Sequence, residues 1–179
     1  QLVMRLMTTE SGFASDKLKG GTRIEPYEWP ELEQRIASLA KAPLYIDDTP
    51  SIPLMEFRAK VKRLVKSKDV RLVIVDYLQL MQGPAELRGL REQEVAAISR
   101  TLKATAKELN IPIIALSQLS RNAVQRTGGT GKPQLSDLRE SGSVEQDADM
   151  VIFIHRPDFV GLGESPAGKE TTQIVIAKH

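Results

Sequence analysis

Short β-branched apolar runs that alternate with amphipathic helical patterns are the feature that most constrains how this chain can fold. The runs cover residues 43–47, 71–76, 111–118, 150–154 and 172–177. Continuous apolar runs of this length are typical of parallel strands that are covered on both faces. Helical stripes occupy residues 31–40, 54–65 and about 91–109. The alternation predicts an α/β fold with a mainly parallel, twisted sheet flanked by helices.

The length of 179 residues suits one domain of ordinary size, so we expect a single domain over residues 1–179. Residues 2–7 follow a helical pattern with no capping residue before it. Residues 172–179 alternate like a strand and stop without a turn. These patterns predict a piece of a longer protein that is incomplete at both ends.

Composition excludes several kinds of chemistry. The chain has no cysteine, which excludes a disulfide framework, a thiolate zinc site and a cysteine nucleophile. His155 and His179 are too few for a histidine-rich metal site, and we expect His155 to be a packed or turn residue. The net charge of +2 argues against a uniformly basic nucleic-acid binder, so any such contact must be local. No apolar run approaches the roughly 20 residues that span a bilayer, so no membrane contact is expected.

Candidate catalytic residues follow two of the apolar runs. Ligand crevices in open α/β sheets lie at the carboxyl ends of the strands. Asp76 ends one run and could hold Mg²⁺ beside a nucleotide phosphate, or it could simply cap the next turn. Gln118 ends another run and could contact a phosphate or position a water, or it could bond the local backbone of a turn.

Two polar segments allow either a functional or a structural interpretation. Gly142 and Ser143 could begin a short helix that Ser143 caps and whose N–H groups suit a phosphate, although composition favours a solvated turn. Residues 58–71 carry seven basic residues against one acidic residue, which would suit a nucleic-acid groove. A solvated helix face is the better interpretation, because these residues lie between the apolar stripe positions and aromatic residues for base stacking are nearly absent.

Three segments occur in a telling order: residues 72–81, 113–121 and 136–149. The first contains Asp-Tyr-Leu-Gln-Leu-Met and the third begins Ser-Asp-Leu-Arg-Glu-Ser-Gly. Together they resemble the C-terminal motor domain of the DnaB-type replicative DNA helicases. The resemblance extends over essentially all 179 residues, and these two runs are its most specific part.

The resemblance implies a RecA-like core that works as a ring-shaped homo-hexamer. ATP and Mg²⁺ would bind between neighbouring subunits, and hydrolysis would move the ring 5′ to 3′ along single-stranded DNA. A primase and a helicase loader are the further partners that it implies. The location would be the cytoplasm, at a bacterial or phage replication fork.

The resemblance also implies roles for particular positions. Asp76 matches the Walker B carboxylate that orders Mg²⁺ through water. Gln118 matches the amide that links the state of the γ-phosphate to the DNA loops. Lys178 matches a basic hairpin that reaches the ATP site of the next subunit. The positions that match DNA-binding residues are Arg121, Arg139, Glu140 and Gly142.

The chain departs from the family pattern in its phosphate-binding parts. No window matches Gly-x-x-x-x-Gly-Lys-[Ser/Thr], and residues 163–170 have the spacing but place Glu170 where a hydroxyl is needed. The family's catalytic glutamate and arginine finger also fall outside the 179 residues. We therefore predict no measurable ATP hydrolysis by the isolated chain.

Two other functions stay open. One is a RecA-like recombination or repair ATPase, which the Ser-Asp-Leu-Arg-Glu-Ser-Gly segment disfavours. The other is a shortened RecA-like module that binds DNA or a partner without turnover.

Overall fold

The computed structural model describes residues 2–21, 23–119, 132–156 and 171–179. The chain divides into two compact units, residues 1–47 and 48–179. The helices and strands, in chain order, are α1 (Leu2–Ser11), α2 (Ser15–Leu18), α3 (Trp29–Lys41), α4 (Leu54–Lys68), β1 (Val73–Val75), α5 (Arg91–Leu109), β2 (Ile113–Ala115), α6 (Gly142–Asp147), β3 (Val151–His155) and β4 (Gln173–Lys178).

The first unit consists of α1, α2 and α3. Pro30 lies in the first turn of α3, where its missing N–H costs nothing, and Leu32 is buried beneath that turn. Arg35 of α3 donates a hydrogen bond to the carbonyl oxygen of Ser11 at 2.9 Å, which ties α3 to the end of α1. The helix predicted at 31–40 is thereby confirmed, and α3 extends slightly beyond it at both ends.

The prediction of a strand at 43–47 is wrong. These residues form no strand among the described parts of the chain, where the ladders join β1 to β2 and β3 to β4. Leu44, Tyr45 and Ile46 are all exposed. The physical reason is that a strand is defined by its pairing partner, and an apolar run alone does not supply one.

The core of the second unit lies between α4, α5 and the segment after β1. Phe57 and Val61 of α4 pack with Ile98 and Leu102 of α5, and Leu78 lies in the same cluster. The helical stripes predict both helices, and α5 has the predicted bounds. Helix α5 ends where Asn110 takes a left-handed conformation, with φ of 52°, which asparagine tolerates better than most residues.

The strands form two ladders. β1 and β2 are parallel, with Val73 opposite Ile113 and Val75 opposite Ala115. β3 and β4 pair antiparallel, a direction that the apolar runs did not predict. His155 is buried on β3, which confirms that it is a packed residue.

Each ladder has one covered and one exposed face among the described residues. The outward side chains are isoleucines that are about half exposed or more: Ile74, Ile114, Ile152, Ile154, Ile174 and Ile176. The expectation that both faces would be covered is therefore not met within the described part of the chain.

Candidate nucleotide and DNA site

The end of β1 and the end of β2 lie side by side, because the two strands are parallel and in register. The N–H of Leu116 donates to the carbonyl oxygen of Val75 at 2.9 Å, and the N–H of Leu78 donates to the carbonyl oxygen of Leu116 at 2.9 Å. The chain that carries Asp76 is therefore hydrogen-bonded on both sides of that residue to the chain that leads to Gln118. The Asp76–Tyr77 peptide bond is cis.

An open cleft of about 340 Å³ lies at this edge of the sheet, and it is lined by Tyr77, Leu116, Ser117 and Gln118. Asp76 and Gln118 are both exposed. The structure thus brings the ends of the two predicted runs to one edge, with a carboxylate, a hydroxyl and an amide close along the chain. These are oxygen-rich groups of the kind that accompany Mg²⁺ and phosphate.

Gln79 is the residue of this site that sequence reasoning missed. Its side-chain Nε2 donates to Ser117 Oγ at 3.0 Å and to the carbonyl oxygen of Gln118 at 3.3 Å. Its Oε1 accepts a hydrogen bond from the N–H of Gln118 at 3.3 Å. The only signal in the sequence is its place three residues after Asp76, inside the Asp-Tyr-Leu-Gln-Leu-Met run.

The main chain at Gln79 is in turn held by the first turn of α5. Arg91 donates to the carbonyl oxygen of Gln79 at 2.9 Å and forms an ion pair with Glu94 at 2.9 Å. Glu94 also accepts the N–H of Gly83 at 3.0 Å. A Cβ atom at Gly83 would lie 2.4 Å from Glu94 Cγ, so this close approach requires glycine.

The candidate DNA-binding segment forms a 3₁₀ helix, Leu135–Ser141, followed directly by α6. Gln134 donates its N–H to Asp137 Oδ2 at 2.7 Å, and Asp137 donates its N–H to the carbonyl oxygen of Gln134 at 2.9 Å, which closes the start of the segment. Arg139 and Glu140 belong to this 3₁₀ helix, and Gly142 is the first residue of α6.

Two sequence expectations change in this region. Ser143 lies inside α6 rather than before it, because the helix begins one residue earlier than a Ser143 cap requires. Arg121 and the glycine-containing loop at 163–170 lie outside the described residues.

A small apolar cluster connects the two parts of the site. Leu119, which follows Gln118, packs against a buried group formed by Leu138, Val151 and Phe153. Leu138 directly precedes Arg139. A displacement at Gln118 would therefore reach the 3₁₀ helix through one intervening side chain.

Lys178 lies at the end of β4 and interacts within its own chain. Its Nζ donates to the carbonyl oxygen of Glu145 at 2.7 Å and approaches that of Gln146 at 3.4 Å. These carbonyl groups belong to the last turn of α6, where a cation is favourable. The predicted role of Lys178 in a neighbouring ATP site is a different arrangement from this one.

A polar cleft of about 540 Å³ surrounds Lys178 and includes Lys103, Lys107 and Asp149. The ion pair with Lys103 lowers the pKa of Asp149, and the charges of Lys107 and Lys178 lower that pKa further. Asp149 therefore stays ionised and balances part of the positive charge in this cleft.

The donor groups at Asp76 suit a metal ion that arrives with a nucleotide. No group of three or more His, Asp or Glu residues is placed to hold a metal within the described ranges. Mg²⁺ commonly keeps several waters and takes one or two carboxylates together with substrate phosphates. A lone exposed carboxylate beside a cleft fits that pattern and does not fit an all-protein metal cage.

The basic residues of α4 form a solvated, partly paired face, as the sequence favoured. Glu108 of α5 accepts hydrogen bonds from Arg58, at 2.6 Å, and from Lys62. The hydrogen bond from Lys62, followed by that from Arg58, lowers the pKa of Glu108. This side of the helix therefore binds α5 rather than offering a continuous basic groove.

Known relatives resemble the whole chain. The sequence profile of the DnaB-like helicase C terminal domain matches residues 1–179. A replicative DNA helicase DnaB of Geobacillus stearothermophilus is 45% identical over 179 residues, which cover 100% of this chain and 38% of that protein. One of Mycobacterium intracellulare is 47% identical, with 100% of this chain and 30% of that protein covered. The chain thus spans well under half the length of these relatives.

Solved structures agree with the predicted RecA-like α/β class. A DnaB-like replicative helicase, studied with its interactions with primase, superposes with a TM-score of 0.83 at 33% identity over 99% of this chain and 43% of that one. A second solved structure, of an ATPase domain, gives a TM-score of 0.83 at 33% identity over 98% of this chain and 61% of that one. Every helix in the described ranges is too short or too polar to cross a membrane. The chain belongs to the family of DnaB-like helicase C-terminal domains.

Proposed function

We propose that residues 1–179 belong to one RecA-like motor domain of a replicative DNA helicase, which hydrolyses ATP to unwind DNA. The observation that carries the proposal is the family match over the whole chain, in which Asp76 and Gln118 come to adjoining strand ends. The match disfavours a recombination or repair ATPase, as did the Ser-Asp-Leu-Arg-Glu-Ser-Gly segment. It also disfavours a binding module without turnover.

ATP and Mg²⁺ are the cofactors of this proposal. Asp76 would hold Mg²⁺ through water, and the ion would neutralise charge on the transferring phosphoryl group. Gln118 would sense the γ-phosphate with its side-chain amide. The shared sheet edge, the cleft and the exposure of both residues support these roles.

Single-stranded DNA would contact Arg139, Glu140 and Gly142, together with Arg121. The packing of Leu119 against Leu138 supports a mechanical connection, since it joins the residue after Gln118 to the residue before Arg139. Movement would be 5′ to 3′ in a homo-hexameric ring. Net charge is close to neutral, which is consistent with DNA contacts confined to a few loops.

Lys178 would act on the ATP site of the next subunit in the ring. To do so its ammonium must leave the carbonyl groups of Glu145 and Gln146, so the end of α6 would lose a capping cation when the neighbouring site closes. A primase and a helicase loader are the proposed partners, and the cytoplasmic replication fork is the proposed location.

The test is strand separation by the gene product that carries this sequence. Forked DNA with a 5′ or a 3′ single-stranded arm is supplied with ATP and Mg²⁺, and we expect unwinding only where the enzyme can load on the 5′ arm. Asp76→Ala should abolish unwinding. Asp48→Ala, at an exposed aspartate that does not line the cleft, should leave it intact.

Each opposite result contradicts a definite part of the proposal. Retained unwinding by Asp76→Ala would show that Asp76 is not the metal residue. Strand exchange without directional unwinding would favour the recombination ATPase. DNA binding without any turnover by the gene product would favour the binding module.

A further inference from the structure

We propose that Gln79 is a positioning residue that holds the main chain of Gln118 and so transmits the nucleotide state to the DNA-binding segment. The inference rests on the proposed function, since it assigns a regulatory part to that same site. It concerns a residue that touches neither nucleotide nor DNA in the proposed arrangement.

The contact is a reciprocal one. The side-chain amide of Gln79 both donates to the carbonyl oxygen of Gln118 and accepts from its N–H, with each distance at 3.3 Å. A third hydrogen bond, at 3.0 Å, joins the same Nε2 to Ser117 Oγ. A side-chain amide thus pairs with the chain just beyond β2 much as a neighbouring strand would, although the β1–β2 ladder ends at Ala115.

Gln79 is itself fixed by the core and by α5. It lies in the 3₁₀ helix Leu78–Leu80, and Leu78 is buried in the core between α4 and α5. The carbonyl oxygen of Gln79 accepts from Arg91 at the start of α5. Its side chain is therefore presented from a rigid base, which is what a positioning residue requires.

Gln118 stands between this clamp, formed by the Gln79 amide, and the DNA-binding segment. Its main chain is held on one side by Gln79, and the next residue, Leu119, packs on the cluster that contains Leu138. With the clamp present, a change at the Gln118 amide side chain must turn the chain about a fixed point and displace Leu119. Without the clamp, the main chain at Gln118 can yield locally, and the displacement is lost before it reaches Leu138.

The magnitude follows from the kind of contact. Three neutral hydrogen bonds are removed together, and coupling between two sites in a protein commonly changes affinity or rate by about 5- to 150-fold. We expect the ratio of DNA-stimulated to DNA-free ATPase rates to fall about tenfold in Gln79→Leu.

The experiment uses the full gene product with Mg²⁺-ATP and a single-stranded oligothymidylate as the DNA. ATPase rates are measured with and without the oligonucleotide. Hydrogen exchange at a peptide covering residues 116–119 is measured in parallel, because the Gln118 N–H loses its acceptor. Gln82→Leu is the matched control, since Gln82 is exposed and its side chain makes no hydrogen bond among the described residues.

The proposal predicts a reduced stimulation ratio and faster exchange at Gln118 in Gln79→Leu, with neither change in Gln82→Leu. A stimulation ratio within about twofold of wild type would overturn it, and so would an equal fall of both rates, which marks a merely structural residue. If Gln79→Leu does not fold, Gln79→Glu decides, because its carboxylate keeps the size and the acceptor but cannot donate to the Gln118 carbonyl. A wild-type protein without DNA-dependent ATPase would instead refute the proposed function.

Discussion

Replacing Leu78 by alanine tests whether the site is built on the core of the second unit. Leu78 is 2% exposed and packs with Phe57, Ile98 and other members of the core cluster. It follows Asp76 and Tyr77 directly, and its N–H is hydrogen-bonded to the carbonyl oxygen of Leu116. Its side chain therefore anchors the turn that presents the candidate metal residue.

The expected loss of stability can be worked from that burial. Leucine to alanine removes about three methylene equivalents, at about 0.8 kcal/mol each, or about 2.4 kcal/mol of transfer free energy. A residual cavity of roughly 50 Å³ adds about 1.2 kcal/mol at about 24 cal/mol per Å³. The free energy of unfolding should therefore fall by about 3.5 kcal/mol, within the range of about 2–5 kcal/mol for buried leucines.

Urea unfolding of the chain, followed by far-ultraviolet circular dichroism, measures this change. Leu80→Ala is the matched control, because Leu80 lies in the same 3₁₀ helix and is 50% exposed. It should cost about 1 kcal/mol or less. A loss below about 1 kcal/mol for Leu78→Ala, or equal losses for the two variants, would refute the packing argument.

Three further predictions concern other parts of the chain. Hydrogen bonds from Lys62 and Arg58 lower the pKa of Glu108 below its usual 4.5, so this interaction stabilises the fold above that pH and is lost as the pH falls through the lowered pKa. The melting temperatures of wild type and Glu108→Gln should thus converge on acidification below about pH 4.5, and parallel curves would contradict this assignment. Gly83→Ala should lower the free energy of unfolding by about 1–3 kcal/mol, because the added Cβ displaces Glu94; an unchanged thermal midpoint would contradict the close approach. The purified 179-residue chain should show no measurable ATPase, and robust Mg²⁺-dependent hydrolysis would overturn that prediction.

The parts of the fold that depend on local pattern were predictable from the sequence. Helix α5 has the predicted bounds because its apolar stripe repeats with the helical period from Val95 onward. The run at 43–47 has the same apolar character as the true strands and forms none. Pairing depends on a partner elsewhere in the chain, and hydrophobicity does not identify that partner.

The candidate site shows the same division. Asp76 and Gln118 could be expected at one edge because parallel strands bring their carboxyl ends together. The clamp made by Gln79 could not, since a side-chain amide reaches the main chain 39 positions away only through the β1–β2 register. The capping of α6 by Lys178 likewise depends on how β4 lies beside that helix.

The most direct test of the central claim is a structure of the gene product with Mg²⁺, a non-hydrolysable ATP analogue and single-stranded DNA. We predict the nucleotide phosphates and the metal at the edge formed by Asp76 and Gln118, with the Gln79 amide still paired to the Gln118 main chain. We further predict DNA along the segment that contains Arg139. Nucleotide bound away from the ends of β1 and β2 would contradict the proposed site.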